Sequence, residues 1–536
     1  MSSLWSELTS FARFLTGLSP ILRRKVSYQA AREIILGRLQ RREANFLDRM
    51  EHNVFANPRS PYRRLLDHAG CDLADVRELV SKQGLEGALR TLRDAGVYLS
   101  FEEFKGIQPV VRGSVHFTAR SEDFDNPTFG RYYTMTTGGS TGTGRRVLMD
   151  LDHLAARIPI SVVLERIEGT AGLPALNWYD IPPGHGLNSV LQSIPGDNIP
   201  RKWYTPIRGG SDGTSRRFRF ATQAALTVAR LGGARVPSPE FLPLDQAAVV
   251  ARWARDQLAA HGRCVVRGQV SRILRVAIAA QQEGIDLTGA ILVGGSEPPT
   301  AAKVARIKST GATFRSSYYF VEVGPVGWSC TTSDEPNDQH FFKDHLAMFQ
   351  APREVPGFEV TVGAFYYTTL LPTAPKLLFN VESDDYGVFE QRRCGCPWET
   401  EFGFTDHIRD IRSFKKLSGE GVTLVGTDME RILEEVLPAR FGGSPLDYQL
   451  LEEEDEQGFT RLDLLVSPQL VVDETEVSRA FLDALHGSGA AGDLSRAIWQ
   501  QAQTLRVRRE PPRLTKHGKL MPLQLRRPGV QPGTSR

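Results

Sequence analysis

Two groups of residues in this chain have the types and spacing to do chemistry. The first is Thr136-Thr137-Gly138-Gly139-Ser140-Thr141-Gly142-Thr143-Gly144-Arg145-Arg146. Glycines admit positive φ and let backbone N–H groups close on an anion. Hydroxyls add donors and the arginines add fixed positive charge. The combination suits a polyphosphate. The preceding Arg131–Thr136 is aromatic and β-branched and reads as a strand feeding this loop. The second group is Cys330, His340, Cys394 and Cys396. Three thiols and an imidazole make a four-coordinate structural Zn²⁺ set, although Cys394-Gly395-Cys396 is tighter than the usual Cys-x2-Cys. The alternative is a group of small buried residues in a reduced protein. A zinc here would pin two distant segments together rather than take part in chemistry.

The elements that must position these residues follow from pattern. The chain has 536 residues, enough for two or three domains, with 41% apolar and 24% charged residues. A net charge of +3 gives no general reason to expect nucleic acid. Five scattered cysteines do not read as a disulfide framework and favour a reducing compartment. No uncharged apolar run is long enough to span a bilayer, and Leu4, Trp5, Leu8, Phe11, Leu15 and Leu18 read as an amphipathic helix packed on its own domain. Residues 1–107 read as mostly helical, with a helix after Ser60-Pro61 that ends at Gly70. From 108 to 410, strands and helices alternate, which predicts a layered α/β domain. Residues 411–536 read as a small, mobile α+β lid. In it Leu446–Leu451 and Thr460–Ser467 are paired strands, and Met429–Leu437 and a segment with Val477, Phe481 and Leu485 are helices.

Further motifs fall inside this frame. Ala290–Val293 is a short apolar strand ending at Gly294-Gly295-Ser296-Glu297, with a helix starting near Thr300. Open backbone at the end of such a strand is where α/β sheets bind ligands. Then come Tyr318-Tyr319-Phe320-Val321-Glu322, a strand from Leu377 ending in the acidic turn Asp384-Asp385, Arg409–Lys415, and Lys519 in a basic tail. The turn Trp178–Gly186 is aromatic, and His185 within it reads as structural.

The 137–145 loop is not the phosphate loop of a P-loop NTPase, because Arg145-Arg146 stand where Lys and Ser or Thr are required. It resembles the phosphate loop of adenylate-forming enzymes, with Gly138 for Ser, Gly144 for Pro and Arg145 for Lys. The Gly-Gly-Ser-Glu turn, the Tyr-x-x-x-Glu segment and the closing Pro-Arg-Leu-Thr-Lys-His-Gly-Lys-Leu follow in that family's order. The phenylacetate–CoA ligase branch is the most similar, through Gly324-Pro325, Ser329-Cys330 and the Pro61-Tyr62-Arg63-Arg64-Leu65 helix. The resemblance implies ATP-dependent activation of a small-molecule carboxylic acid to an acyl-adenylate, then transfer to a thiol, coenzyme A or that of a carrier protein. It implies that Thr137, Gly138, Gly139, Ser140, Thr141, Gly142 and Thr143 hold phosphates. Gly295, Ser296 and Glu297 form the adenine turn, with Tyr318 and Tyr319 beside the base. Asp384 or Asp385 and Arg412 take the ribose, Glu322 ligates Mg²⁺, and Lys519 is the catalytic lysine. Val321 replaces the usual hydroxyl and the hinge aspartate is missing. The alternatives are an acyl-protein synthetase, a ligase-like binding protein with little turnover, and a nucleic-acid binder using the basic tail. The reading adopted is a cytoplasmic enzyme without nucleic-acid partner or stable membrane insertion, with its oligomeric state open.

Overall fold

The computed structural model describes residues 2–136, 146–182, 184–196, 198–207, 216–297, 299–335, 337–354, 361–413, 416–419, 422–425, 429, 431–485, 499–513 and 523–524. The chain opens with helices α1 (Ser2–Arg23), α2 (Tyr28–Gln40), α3 (Arg42–Arg49), α4 (Pro61–His68), α5 (Leu73–Asp94) and α6 (Phe101–Phe104). Local chemistry starts them. Asp72 caps α5 reciprocally with Asp75, and Pro61 occupies the first turn of α4, where no N–H is needed. Phe14, Leu18 and Leu22 of α1 are buried in a core shared with Tyr133 and Leu187, so the amphipathic face packs on its own chain.

After the short hairpin β1 (Val110–Arg112) and β2 (Val115–Phe117) comes a second, β3 (Tyr132–Thr136) and β4 (Arg146–Asp150). It is in register from Tyr132↔Asp150 to Thr136↔Arg146, and the glycine-rich run between these strands lies outside the described residues. Asp150 accepts the Asp152 N–H at 2.8 Å, capping α7 (Leu151–Ile167), and the Arg131 N–H at 3.1 Å, closing the base of the hairpin.

The large domain is organised by one twelve-stranded sheet. In chain order its first half contains β5 (Ala175–Trp178), α8 (Gly186–Ser193), β6 (Lys202–Thr205), α9 (Arg216–Leu231), β7 (Pro239–Phe241), α10 (Ala247–His261), β8 (Cys264–Gln269), α11 (Val270–Gln282), β9 (Ala290–Gly295), α12 (Ala301–Lys308) and β10 (Thr313–Phe320). The second half contains β11 (Gly324–Ser329), β12 (Gln339–Phe341), β13 (Leu346–Glu354), β14 (Thr361–Thr369), β15 (Val381–Gln391), α13 (Pro397–Phe402) and β16 (Asp406–Ser413). The spatial order is β13-β14-β15-β16-β12-β11-β10-β9-β8-β5-β6-β7. From β10 to β7 all pairings are parallel, and from β10 to β13 all are antiparallel. Parallel strands must bury both faces. Accordingly Val266 and Leu292 enter the core under α10–α12, while Val265, Ile291 and Val293 enter the core under α2 and α7.

One expectation is corrected. Asp384 and Asp385 do not form an acidic turn; β15 runs through both to Gln391. The carboxylates stay within a strand because β16 and, from across the sheet, β10 donate hydroxyls to them, Ser413 to Asp384 at 2.6 Å and Tyr318 to Asp385 at 2.5 Å. The break in β15 comes at Gly387, where pairing with β16 shifts and a Cβ would lie 2.6 Å from the Arg409 carbonyl oxygen.

Beyond β16 lie the hairpin β17 (Lys416–Gly419) and β18 (Val422–Val425) and a small α+β unit. The expected helix near Met429–Leu437 is wound as a π-helix at Ile432–Val436 and continues as α14 (Leu437–Phe441). The expected strand pair is β19 (Tyr448–Glu454) against β20 (Thr460–Val466), and α15 (Glu474–Leu485) covers it. Strands β21 (Leu505–Arg508) and β22 (Leu523–Gln524) extend the sheet on either side. This unit docks on α11 and α12. The Arg275 guanidinium lies 4.4 Å from the centre of the Phe459 ring, and Lys303 donates to Thr460 at 3.4 Å. Among the described residues no helix is long and apolar enough to cross a membrane.

Candidate active site

A cavity of about 190 Å³ opens at the carboxyl ends of β9 and β10, where the parallel half of the sheet meets the antiparallel half. Helix α7 presents Arg157, Ile160, Ser161 and Leu164 to it, one stripe at helical spacing. From the other side α8 and its N-cap present His185, Asn188, Ser189 and Gln192. The hairpin that carries the glycine-rich run is tied to this wall, because the Tyr133 hydroxyl donates to the Asn188 side-chain carbonyl.

The turn from β5 to α8 is held by a buried ion pair that no motif announced. Arg272 donates to both Asp180 oxygens at 2.8 and 2.9 Å and to the Trp178 carbonyl at 3.1 Å. Gln269 adds a bond to Asp180 at 3.1 Å. The Gly186 N–H closes the turn on the Asp180 carbonyl at 2.9 Å, and a Cβ at Gly186 would run into the Trp203 ring, so only glycine fits. The turn thereby sets Tyr179 and His185 into the cavity wall. Burial, and secondarily the charge of Arg157, pushes the His185 imidazole down to about 4, so it is neutral at physiological pH.

Gly295 ends β9, where a Cβ would meet the Ser317 hydroxyl at 2.6 Å, and Ser296 turns the chain with φ 65°. Both line the cavity. Glu297 is buried, accepting the Ser271 hydroxyl at 2.6 Å with Lys303 at 4.0 Å. Tyr318 and Tyr319 also line the cavity but have different neighbours. Tyr318 donates to Asp385, and burial with that carboxylate raises its hydroxyl well above the ordinary tyrosine range. The Tyr319 ring lies 4.8 Å from the Arg157 guanidinium and 4.8 Å from the His185 ring. Glu322 is 9% exposed and pairs with Lys105 at 3.0 Å, an ammonium just beyond α6. Sequence reasoning missed Lys105, because nothing local sets it apart from other surface lysines. Arg412 stands on β16 opposite Tyr386. At the expected hinge, Asp410 takes φ 52°, a conformation few non-glycine residues adopt. Thr137, Gly138, Gly139, Ser140, Thr141, Gly142 and Thr143, like Lys519, lie outside the described residues.

Away from the cavity, the cysteine–histidine set converges. The ligand atoms of Cys330, His340, Cys394 and Cys396 all lie within 4.8 Å of one another. His340 Nε2 is 3.0 Å from the Cys396 sulfur and 3.7 Å from that of Cys394. Its Nδ1 donates to the Phe404 carbonyl at 2.8 Å, which fixes the tautomer that leaves Nε2 as a ligand. Glu399 accepts the N–H groups of Cys394 and Gly395 at 2.6 and 2.7 Å, and Gly395 takes φ 71°, bending the Cys-Gly-Cys turn around the centre. Donation from Cys396, His340 and Thr332 pulls the Cys330 thiol well below the ordinary thiol range. Asp338, His407 and Cys330 form an adjoining group, with the Asp338 carboxylate 2.7 Å from His407 Nδ1.

No protein-family model matches the sequence, and no curated protein matches it. Among solved structures, the chain is similar to a 2-hydroxyisobutyryl-CoA ligase in complex with 2-HIB-AMP and CoA, at 14% identity and TM-score 0.47, over 94% of this chain and 91% of that one. It is similar to the amide bond synthetase McbA from Marinactinospora thermotolerans at 13% identity and TM-score 0.40, over 72% and 67%. It is also similar to McyG A-PCP complexed with phenylalanyl-adenylate at 10% identity and TM-score 0.34, over 84% and 72%.

Proposed function

We propose that this chain activates a carboxylic acid with ATP and passes the acyl group to a thiol, coenzyme A being the expected acceptor. One observation carries the reading. The Gly295-Ser296 turn, Tyr318 and Tyr319 line one cavity, Asp385 stands behind it as the acceptor of the Tyr318 hydroxyl, Glu322 follows three residues after Tyr319, and the hairpin bearing the glycine-rich run is bonded to the cavity wall. These are the segments that the sequence resemblance assigns to adenine, ribose, magnesium and phosphate.

The chemistry needs them together. A carboxylate oxygen attacks the α-phosphorus, the bond to the β-phosphate oxygen breaks, and pyrophosphate leaves. A thiolate then attacks the acyl carbon, the bond to AMP breaks, and the thiol proton goes to solvent. Two anions must meet in the first step, so positioning and fixed positive charge supply most of the acceleration. Lys519 is the lysine proposed for that role.

Magnesium fits only in part. Glu322 is a single carboxylate, already paired with Lys105, and among the described residues it belongs to no cluster of metal-ligating side chains. That suits an ion bound mostly through nucleotide phosphates, as Mg²⁺ commonly is. Its contribution there would be charge neutralisation. Zinc fits better. Three sulfurs and an oriented imidazole nitrogen match a closed structural site, with Cys330, His340, Cys394 and Cys396 as ligands and no open position for chemistry.

The test is carboxylate-dependent exchange of labelled pyrophosphate into ATP over a panel of aryl and alkyl acids. Exchange is expected with at least one acid, and Lys519→Ala should lower its rate on the order of 10²–10³-fold. Exchange with no acid, or an unchanged rate in the variant, would refute the respective assignment.

A further inference from the structure

Arg157 has an unusual position. It sits at the start of the α7 stripe, and its Nε and Nη1 are shielded from solvent without a hydrogen-bond partner. The Tyr319 hydroxyl is likewise shielded, with no well-formed hydrogen bond beyond its contact with Arg157 itself, while the Tyr319 ring lies under the guanidinium. No aspartate or glutamate is among the residues lining the cavity. Gly324 at the start of β11 has φ 96°, and a Cβ there would sit 3.4 Å from Arg157 Cδ and Nε, so this glycine seats the side chain closely. Guanidinium N–H groups shielded from water without an acceptor are unfavourable unless a ligand supplies one.

We propose that Arg157 receives the carboxylate of the acid, with the Tyr319 hydroxyl as a second donor. The proposal rests on the reading above and deepens it by naming the substrate class. The α7 and α8 stripes run side by side. Arg157 and His185 mark one end, both against the Tyr319 ring, while a Cβ at Gly196, just past α8, would lie 3.0 Å from Glu165 near the other. Beyond the Arg157 end, Ile160 and Leu164 of α7 and Trp328 and Phe342 form apolar walls, and Ser189 and Gln192 of α8 add polar groups opposite them. The substrate is therefore a monocarboxylate with its head on Arg157 and a largely apolar body towards Leu164, whose α8 side has room for a polar substituent against Ser189 and Gln192. Holding the ground-state acid is a task separate from the transfer role proposed for Lys519.

The full-length protein is titrated with aryl and alkyl monocarboxylates and their primary amides, without ATP, by calorimetry. Exchange kinetics give KM for acid and for ATP. Arg157→Met should weaken acid binding and raise the acid KM on the order of 10²-fold, with the ATP KM moving less than about threefold. Arg157→Lys should recover part of the loss, and amides should not discriminate wild type from either variant. Tyr319→Phe keeps the ring under the guanidinium and should cost only the one donor, roughly threefold to tenfold. That substitution tests the site even if Arg157→Met fails to fold. A rise in the ATP KM alone would assign Arg157 to a phosphate and overturn the proposal. Equal acid binding by wild type and variants would reduce it to a structural arginine and do the same. Wild-type protein that binds carboxylates through Arg157 but supports no exchange would uphold this proposal and sink the activity proposed above.

Discussion

Removing Asp180 tests how the cavity wall is held. The Asp180 and Arg272 side chains are 4% and 0% exposed, and the pair is bidentate. Asp180→Ala strips the guanidinium of its counter-charge and leaves it the Trp178 carbonyl. Breaking such a buried pair from one side costs about 3–5 kcal/mol, because an uncompensated charge remains. Replacing both members, as in Asp180→Ala with Arg272→Met, removes that charge, and the double variant should regain at least about 2 kcal/mol over Asp180→Ala. The assay is urea unfolding followed by tryptophan fluorescence, since Trp178 and Trp203 are fully buried beside this turn. The slope with denaturant should stay constant while the midpoint moves. Released from its anchor, the turn should also misplace Tyr179 and His185 and raise the KM for the acid. A single-variant cost below about 1 kcal/mol, or a double variant no more stable than Asp180→Ala, would refute the claim that this pair pins the turn.

Protein purified without chelator should hold about one zinc per chain by elemental analysis, and Cys396→Ser should lose it together with thermal stability, since metal binding and folding are coupled. A chain free of zinc would reduce the cluster to packing. The His185 imidazole is held at about 4 in the folded state, against about 6.5 when unfolded. Between these values the unfolded chain binds more protons. The neutral ring's contribution is thus complete above about pH 6.5 and declines as pH falls towards 4. The ring opens on the cavity, so the loss should be on the order of 2 kcal/mol rather than the full value of the shift. His185→Gln should flatten that acid limb in pH-dependent unfolding, and an unchanged limb would exclude the imidazole as its source.

The sequence by itself determined what is decided within a few residues. A short apolar run made β9 legible, alternation made β19 and β20 legible, and the turn after β9 placed a helix start near Thr300, because each depends on backbone geometry over one or two turns or a single strand. The residue types of the cysteine–histidine set were visible too, but their meeting was not, since Cys394 and His340 are 54 positions apart and come together through sheet order. The acidic pair read as a turn because lone aspartates favour turns; hydroxyls brought from β10 and β16 keep it in a strand. Only the tertiary structure put Lys105 on Glu322 across 217 positions and Arg272 on Asp180 across 92. Arg157 is the sharpest case. In the chain it is one arginine on a helix, and only the shielding of two of its nitrogens without an acceptor gives it a function to propose. Whether a charge is compensated is a property of everything packed around it, and no stretch of sequence contains that information.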